Sequence, residues 1–149
     1  MAVVSAQVKA SPSQVFSVLA EGWYYSDWVV GTSHVRAVES NWPAAGSRLF
    51  HAAGVWPMVI RDVSTVEAVH IDKRLVLTAS GRPFGHARVT IELTATETGT
   101  TVTIDEVPVA GPGKWFDNPV AEALLARRNT ETLARLAALV ERRTSPADG

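Results

Sequence analysis

Three ionisable residues stand where the two-residue alternation of a strand turns them the same way as apolar neighbours. Glu106 follows Val102 and Ile104 in VTIDEV, His51 shares parity with Leu49 and Ala53, and Asp62 shares it with Met58 and Ile60. A carboxylate or imidazole held on an inward face beside apolar groups is placed to work as a general acid or base. Glu106 and His51 are therefore the candidate catalytic residues, with Asp62 a further inward acid. Each has a plainer alternative. A strand that ends near Asp105 and Glu106 puts both carboxylates in water, His51 also suits a structural or exposed role, and Asp62 suits a salt bridge or a solvated face. Tyr24, Tyr25, Asp27 and Arg61 add candidate polar contacts.

Other chemistries find no residues to carry them. The chain has no cysteine, which removes disulfides, thiolate catalysis and Cys-ligated zinc. His34, His70 and His86 show no spacing that gathers them on one face, so neither a metal nor a cofactor is expected. The GPG at 111–113 is too short for a phosphate loop and lacks the Lys-Ser/Thr ending, and there is no G-x-S-x-G. A net charge of −1 gives no electrostatic case for nucleic acid or an anionic membrane. No apolar run approaches the roughly 20 residues needed to span a bilayer. The first residues, MAVVSAQVKASPSQ, lack a basic region followed by a long apolar stretch. The expectation is a cytoplasmic protein, monomer or homodimer.

The elements that must position these groups are mostly strands. Val4, Ala6 and Val8 alternate with polar residues in a first strand. SPSQVFSVLAEG then predicts a short helix capped by Ser11, with Pro12 in its first turn, Gln14 completing a capping box and Gly22 stopping it. Trp23–Val30 predicts a second short helix or helical turn. Six strands are expected after it: His34–Glu39, Arg48–Ala53, Trp56–His70, Arg74–Ser80, His86–Thr96 and Thr100–Val109. The run Asp117–Arg143 is the one strong helix, with Asn118 as N-cap and Pro119 at its first position. Ala121, Leu125, Leu133, Leu136, Leu139 and Val140 share one face, while Arg127, Glu131, Ala134, Glu141 and Arg142 lie on or near the other. Asn129 and Thr132 interrupt the apolar stripe. Thr132 is expected to bond a carbonyl one turn back, and Asn129 to meet a neighbouring strand, a water or a partly polar ligand. A long helix that comes last, after many strands, suggests a curved sheet closed by one lid over a cavity. Residues 1–143 read as one domain and 144–149 as a flexible tail.

Specific segments carry a family likeness. SPSQVFSVLAEGWYYSDW near the start, PAAGSRLF, VEAVHIDKRLVLTA, and GTTVTIDEVPVAGPG leading into RRNTETLARLAALVE together resemble the START-like or SRPBCC superfamily of polyketide cyclases/dehydrases and lipid carriers. That resemblance spans essentially the whole chain. It implies the helix-grip fold, an α+β architecture with two short helices after the first strand. A seven-stranded antiparallel sheet curves around a long C-terminal helix and leaves an apolar cavity between them. It implies no single reaction, because carriers, cyclases, receptors and chaperone regulators share this scaffold.

In such a fold the aromatics beside Gly and Pro segments fall around one end of the cavity. Trp28, Trp56, Phe84 and Trp115 are the candidate wall residues, with Met58, Ile60, Leu125 and Asn129 completing the ligand-binding set. The expected function is binding of a small or medium apolar ligand, lipid- or polyketide-like, by burial against these walls. Two alternatives stay open. One is an aromatase/cyclase or dehydrase using an acid–base pair in the cavity, and the other an interaction module whose open groove takes a partner helix.

Overall fold

In the computed structural model, which describes residues 2–30, 32–53, 60–81, 85–110 and 119–144, the chain opens with strand β1 (Ala2–Val8) and helix α1 (Pro12–Ala20). One turn of 3-10 helix (Gly22–Tyr24) leads into the single turn of α2 (Tyr25–Trp28). Six strands follow: β2 (Thr32–Val38), β3 (Arg48–Ala53), β4 (Ile60–His70), β5 (Arg74–Gly81), β6 (Gly85–Ala95) and β7 (Thr100–Ala110). Helix α3 (Pro119–Thr144) is last. Every strand expected from the sequence is present, with ends that differ by one or two residues, except that the expected start of the fourth at Trp56 lies outside the described residues. Asn118, the expected cap of α3, lies outside the described residues.

All neighbours pair antiparallel in one sheet of order β1-β7-β6-β5-β4-β3-β2. The chain therefore crosses the whole sheet between β1 and β2, and α1 and α2 make that crossing. The start of α1 is fixed as the sequence dictates. Ser11 Oγ accepts the Gln14 N–H and Gln14 Oε1 accepts the Ser11 N–H, a reciprocal capping box. Its end corrects one expectation. The helix stops at Ala20 with Glu21 as cap, and Gly22 is needed for a different reason. A Cβ on Gly22 would lie 2.7 Å from Val38 Cγ1, so the residue is glycine because β2 passes against it.

One face of the sheet follows strict alternation. Leu49 on β3, Val66 on β4, Leu75 and Leu77 on β5, Ile91 and Leu93 on β6, and Val102 and Ile104 on β7 are buried. They meet Val15, Phe16, Val18 and Leu19 of α1 and Leu133, Leu136, Leu139 and Val140 of α3 in one cluster. Each fully buried aliphatic side chain contributes about 1.5–3 kcal/mol, so the C-terminal half of α3 is held mainly by these four residues. Its N-terminal half is different. Toward that end the described inward side chains include Asn129 and Thr132, and the described side chains leave a space between helix and sheet.

At β7 the strand continues through Asp105 and Glu106 to Ala110, which leaves Glu106 inside. Pro108 is tolerated because it sits at the β6–β7 register shift and beyond the residues that pair with β1, where a missing N–H disrupts little.

Candidate functional site

The unfilled space is a cavity of about 320 Å³, at the low end of the about 300–1,000 Å³ range of small-molecule sites. Its apolar wall comes from Val29 and Val30 after α2, Leu77 and Ala79 on β5, Val89 and Ile91 on β6, and Ile104 and Pro108 on β7. Two polar clusters interrupt it.

The first cluster joins α2 to β3 and β4. His51 and Asp62 are direct cross-strand partners, so both turn to the same face. Ser64 follows Asp62 on that face and is fully buried. Its hydroxyl bridges two rings, lying 3.0 Å from Tyr25 Oη and 3.2 Å from His51 Nε2. The Tyr25 ring packs against both Trp28 and His51, with centroids 5.4 and 5.3 Å apart. Burial pushes the Tyr25 phenol above its ordinary range, against the opposing Ser64 hydrogen bond and Arg128 charge, so it is a neutral hydroxyl. Burial likewise holds the His51 imidazole below its usual value. Asp62 opposes that shift and Arg36 reinforces it, and the ring is neutral at pH 7. Three polar atoms here have no hydrogen-bond partner among the described residues: Trp28 Nε1, His51 Nδ1 and Asp62 Oδ1.

The second cluster joins β7 to α3. Glu106 Oε1 accepts from Arg128 Nη2 at 2.7 Å and from Asn129 Nδ2 at 3.2 Å, and Arg128 Nη2 also reaches Asn129 Oδ1 at 3.1 Å. The Glu106 side chain is 11% exposed and that of Arg128 40%. Glu106 is thus an ion-paired carboxylate at the cavity wall, where the sequence had suggested one among apolar groups alone. Thr132, one turn further on, accepts the Val30 N–H on Oγ1 at 3.1 Å. The expected bond to a carbonyl one turn back gives way to this one, which ties α3 to the residues after α2.

Of the residues singled out from the sequence, Glu106, His51, Trp28, Asn129 and Asp62 all line this cavity. Glu106 and His51 belong to different clusters, and no hydrogen bond joins them among the described residues. Leu125 is half-buried and not part of the lining. It sits one turn before Asn129, about 6 Å along the helix axis, which takes it out of the ring of wall residues. Ile60 opens β4, but its side chain is not described. Trp56, Met58, Phe84 and Trp115 lie outside the described residues. Tyr24 turns away and accepts from Arg143 Nη1 at 2.6 Å. Ser64 and Arg128 were not anticipated, although Ser64 continues the parity of Asp62 and Arg128 adjoins Asn129. Among the described residues no three His, Asp or Glu side chains gather as a metal site requires. Among the same residues, no helix is long and apolar enough to cross a membrane.

A sequence profile described as polyketide cyclase / dehydrase and lipid transport matches residues 1–141. The chain belongs to that family. No functionally curated protein matches the sequence. Solved structures share the helix-grip fold of this family member at low identity. Protein NE0264 from Nitrosomonas europaea is 18% identical with a TM-score of 0.74, over 97% of this chain and 96% of the other. Protein MLL2253 from Mesorhizobium loti is 21% identical with a TM-score of 0.71, over 97% and 98%. The Zhui aromatase/cyclase from Streptomyces sp. R1128 is 18% identical with a TM-score of 0.71, over 99% and 96%.

Proposed function

We propose that this polyketide cyclase/dehydrase and lipid transport family member binds a small, mainly apolar molecule between sheet and α3. The observation that carries the reading is the cavity itself. Side chains pack the C-terminal half of the helix–sheet interface fully, yet leave about 320 Å³ unfilled at the other half. The space opens to solvent on one side and its lining is mostly apolar, the character of a small-molecule site. The wall gains affinity by taking apolar ligand surface out of water, at about 25 cal/mol per Å² before the costs of ordering. The few polar groups fix orientation. Native mass spectrometry of freshly purified protein tests this, followed by identification of any organic-extractable compound. A reproducible adduct of an apolar molecule supports the reading. Bare protein that also takes up no apolar compound in titrations refutes it.

A second reading, turnover of the bound molecule in the manner of an aromatase/cyclase or dehydrase, is favoured by the connected hydroxyls and imidazole of Tyr25, Ser64 and His51. A neutral histidine bonded through a hydroxyl to a phenol can pass a proton along that line. For this reading Glu106 and His51 are the proposed acid–base residues. Unchanged turnover of a cyclisable substrate by Glu106→Gln would remove Glu106 from the assignment.

A further inference from the structure

Each bond of the Tyr25–Ser64–His51 chain can run in either direction, and the Asp62 charge beside the imidazole favours one of them. If His51 Nε2 carried the proton, Ser64 would accept it and donate onward to Tyr25, whose own phenolic proton would then have no acceptor among the described residues. It would also turn the bare lone pair of Nδ1 into the space beside Asp62. In the opposite direction the one proton left over is on Nδ1, in the residue paired across the strands with the Asp62 carboxylate. Tyr25 donates to Ser64, Ser64 donates to His51 Nε2, and the imidazole proton sits on Nδ1. The three unpartnered atoms of this wall are then two donors and one acceptor: Trp28 Nε1–H, His51 Nδ1–H and the carboxylate oxygen Asp62 Oδ1.

Their residues are near neighbours. His51 and Asp62 are paired across β3 and β4, and the Tyr25 ring touches both His51 and Trp28. All three belong to the cavity lining and are at most 6% exposed. Buried polar atoms left unpaired in this way are uncommon in folded proteins, because each gives up its hydrogen bonds to water without replacement.

Resting on the ligand-binding reading, we propose that this end of the cavity is a subsite for a neutral hydroxyl group. One alcohol or phenol oxygen has two lone pairs and one proton. It accepts from Trp28 Nε1–H and His51 Nδ1–H and donates to Asp62 Oδ1, so a single group satisfies all three atoms. The ligand class is an apolar molecule carrying a hydroxyl on its buried end. A ketone or an ether accepts the two donors and leaves Asp62 unpaired. A carboxylate sets a second acceptor, and a second negative charge, against Asp62.

Three probes on one ring system separate these cases: 2-naphthol (donor and acceptor), 2-methoxynaphthalene (acceptor only, one carbon larger) and 2-methylnaphthalene (neither). Affinities come from calorimetric titration of the whole protein, and the Trp28 indole N–H is followed by proton–nitrogen correlation spectroscopy, assigned with Trp28→Phe. 2-Naphthol is expected to bind about tenfold or more tightly than either analogue, the ratio typical of a hydrogen bond to a charged group. The Trp28 N–H resonance should move downfield with naphthol and methoxynaphthalene and stay in place with methylnaphthalene. In Asp62→Leu the naphthol-to-methoxynaphthalene ratio should fall to about one while methylnaphthalene binding persists. In Trp28→Phe both oxygen-bearing probes should weaken several-fold and methylnaphthalene should not. Equal affinities of the wild-type protein for all three, with an unmoved indole N–H, overturn the hydroxyl subsite and leave the apolar cavity standing. Failure of all three to bind overturns both.

Discussion

Replacing Ser64 by alanine tests whether the Tyr25–Ser64–His51 chain organises the site. The Ser64 side chain is fully buried and holds two partners, the Tyr25 hydroxyl at 3.0 Å and the His51 Nε2 at 3.2 Å. Ser64→Ala removes one oxygen, adds little empty volume, and leaves both partners without a mate. An unsatisfied buried polar group costs about 1–3 kcal/mol, so two of them set an expected loss of about 2–6 kcal/mol. Tyr25→Phe behaves differently, because Ser64 keeps its bond to His51, and only the loss of one hydrogen bond, about 0.5–1.5 kcal/mol, is expected beyond small packing changes. In the double variant the phenol that Ser64→Ala stranded is gone, so only His51 remains unpaired. The double variant should therefore be less destabilised than the sum of the singles by about 1 kcal/mol or more. Urea unfolding monitored by circular dichroism reads all four proteins, provided the slopes agree. Additivity within about 0.3–0.5 kcal/mol, the range seen for independent sites, would falsify the chain. So would a Ser64→Ala loss smaller than that of Tyr25→Phe.

Three further outcomes follow from the same geometry. The His51 pKa is lowered by burial, so the unfolded chain binds a proton first as pH falls below about 6.5. Stability should then decline with falling pH from there through the lowered folded value, and more steeply in the wild type than in His51→Gln, as urea midpoints across pH 5–8 would show. A Cβ on Gly99 would lie 2.0 Å from the Val8 carbonyl oxygen, a backbone atom that cannot turn aside. Gly99→Ala should therefore shift β1 against the β6–β7 turn and lower stability by about 2–4 kcal/mol, or several degrees in a thermal scan. An unchanged melting temperature would contradict the contact. Arg128→Met leaves the largely buried Glu106 carboxylate with Asn129 as its remaining donor. Because the Arg128 side chain is two-fifths exposed, the expected loss is about 1–2 kcal/mol, less than for a fully buried pair. Glu106→Gln on the Arg128→Met background should recover part of it.

Much of the fold was legible because its signals are local. The Ser11-Pro12-Gln14 capping box, the alternation of Val102, Ile104 and Glu106, and the apolar face of α3 each depend on spacing within one element. The same parity offered an inward position for His51, Asp62 and Glu106 beside a solvated or structural one, and all three are buried because β3, β4 and β7 run unbroken through them. What spacing could not supply is which inward groups meet. Ser64 becomes a bridge only because α2, 39 residues earlier in the chain, lays Tyr25 over β4. Thr132 trades a local back-bond for the Val30 N–H, a contact across 102 residues. Arg128 reads as a boundary residue on the helical wheel, and its long side chain reaches Glu106 from there. Gly22 looked like a helix stop because its real constraint, Val38, arrives from β2.

The separation of the two polar clusters bears on how any chemistry here would work. Asp62 stands on β4 and Glu106 on β7, with β5 and β6 between them. Three interstrand steps are about 14 Å along the sheet, shortened on the inner face by curvature and by the reach of the side chains. A general acid and base serving one reacting centre must each come within about 3 Å of it. Glu106 is meanwhile engaged by Arg128 and Asn129, and His51 by Ser64. A ligand filling about 320 Å³ can touch both walls at once, but with different parts of its skeleton. Under the binding reading we propose, the two clusters orient the ends of one molecule. Under the turnover reading, Glu106 and His51 act as an acid–base pair only if the ligand brings both onto one reacting centre, and Glu106→Gln separates that case from one in which proton movement stays within the Tyr25–Ser64–His51 line.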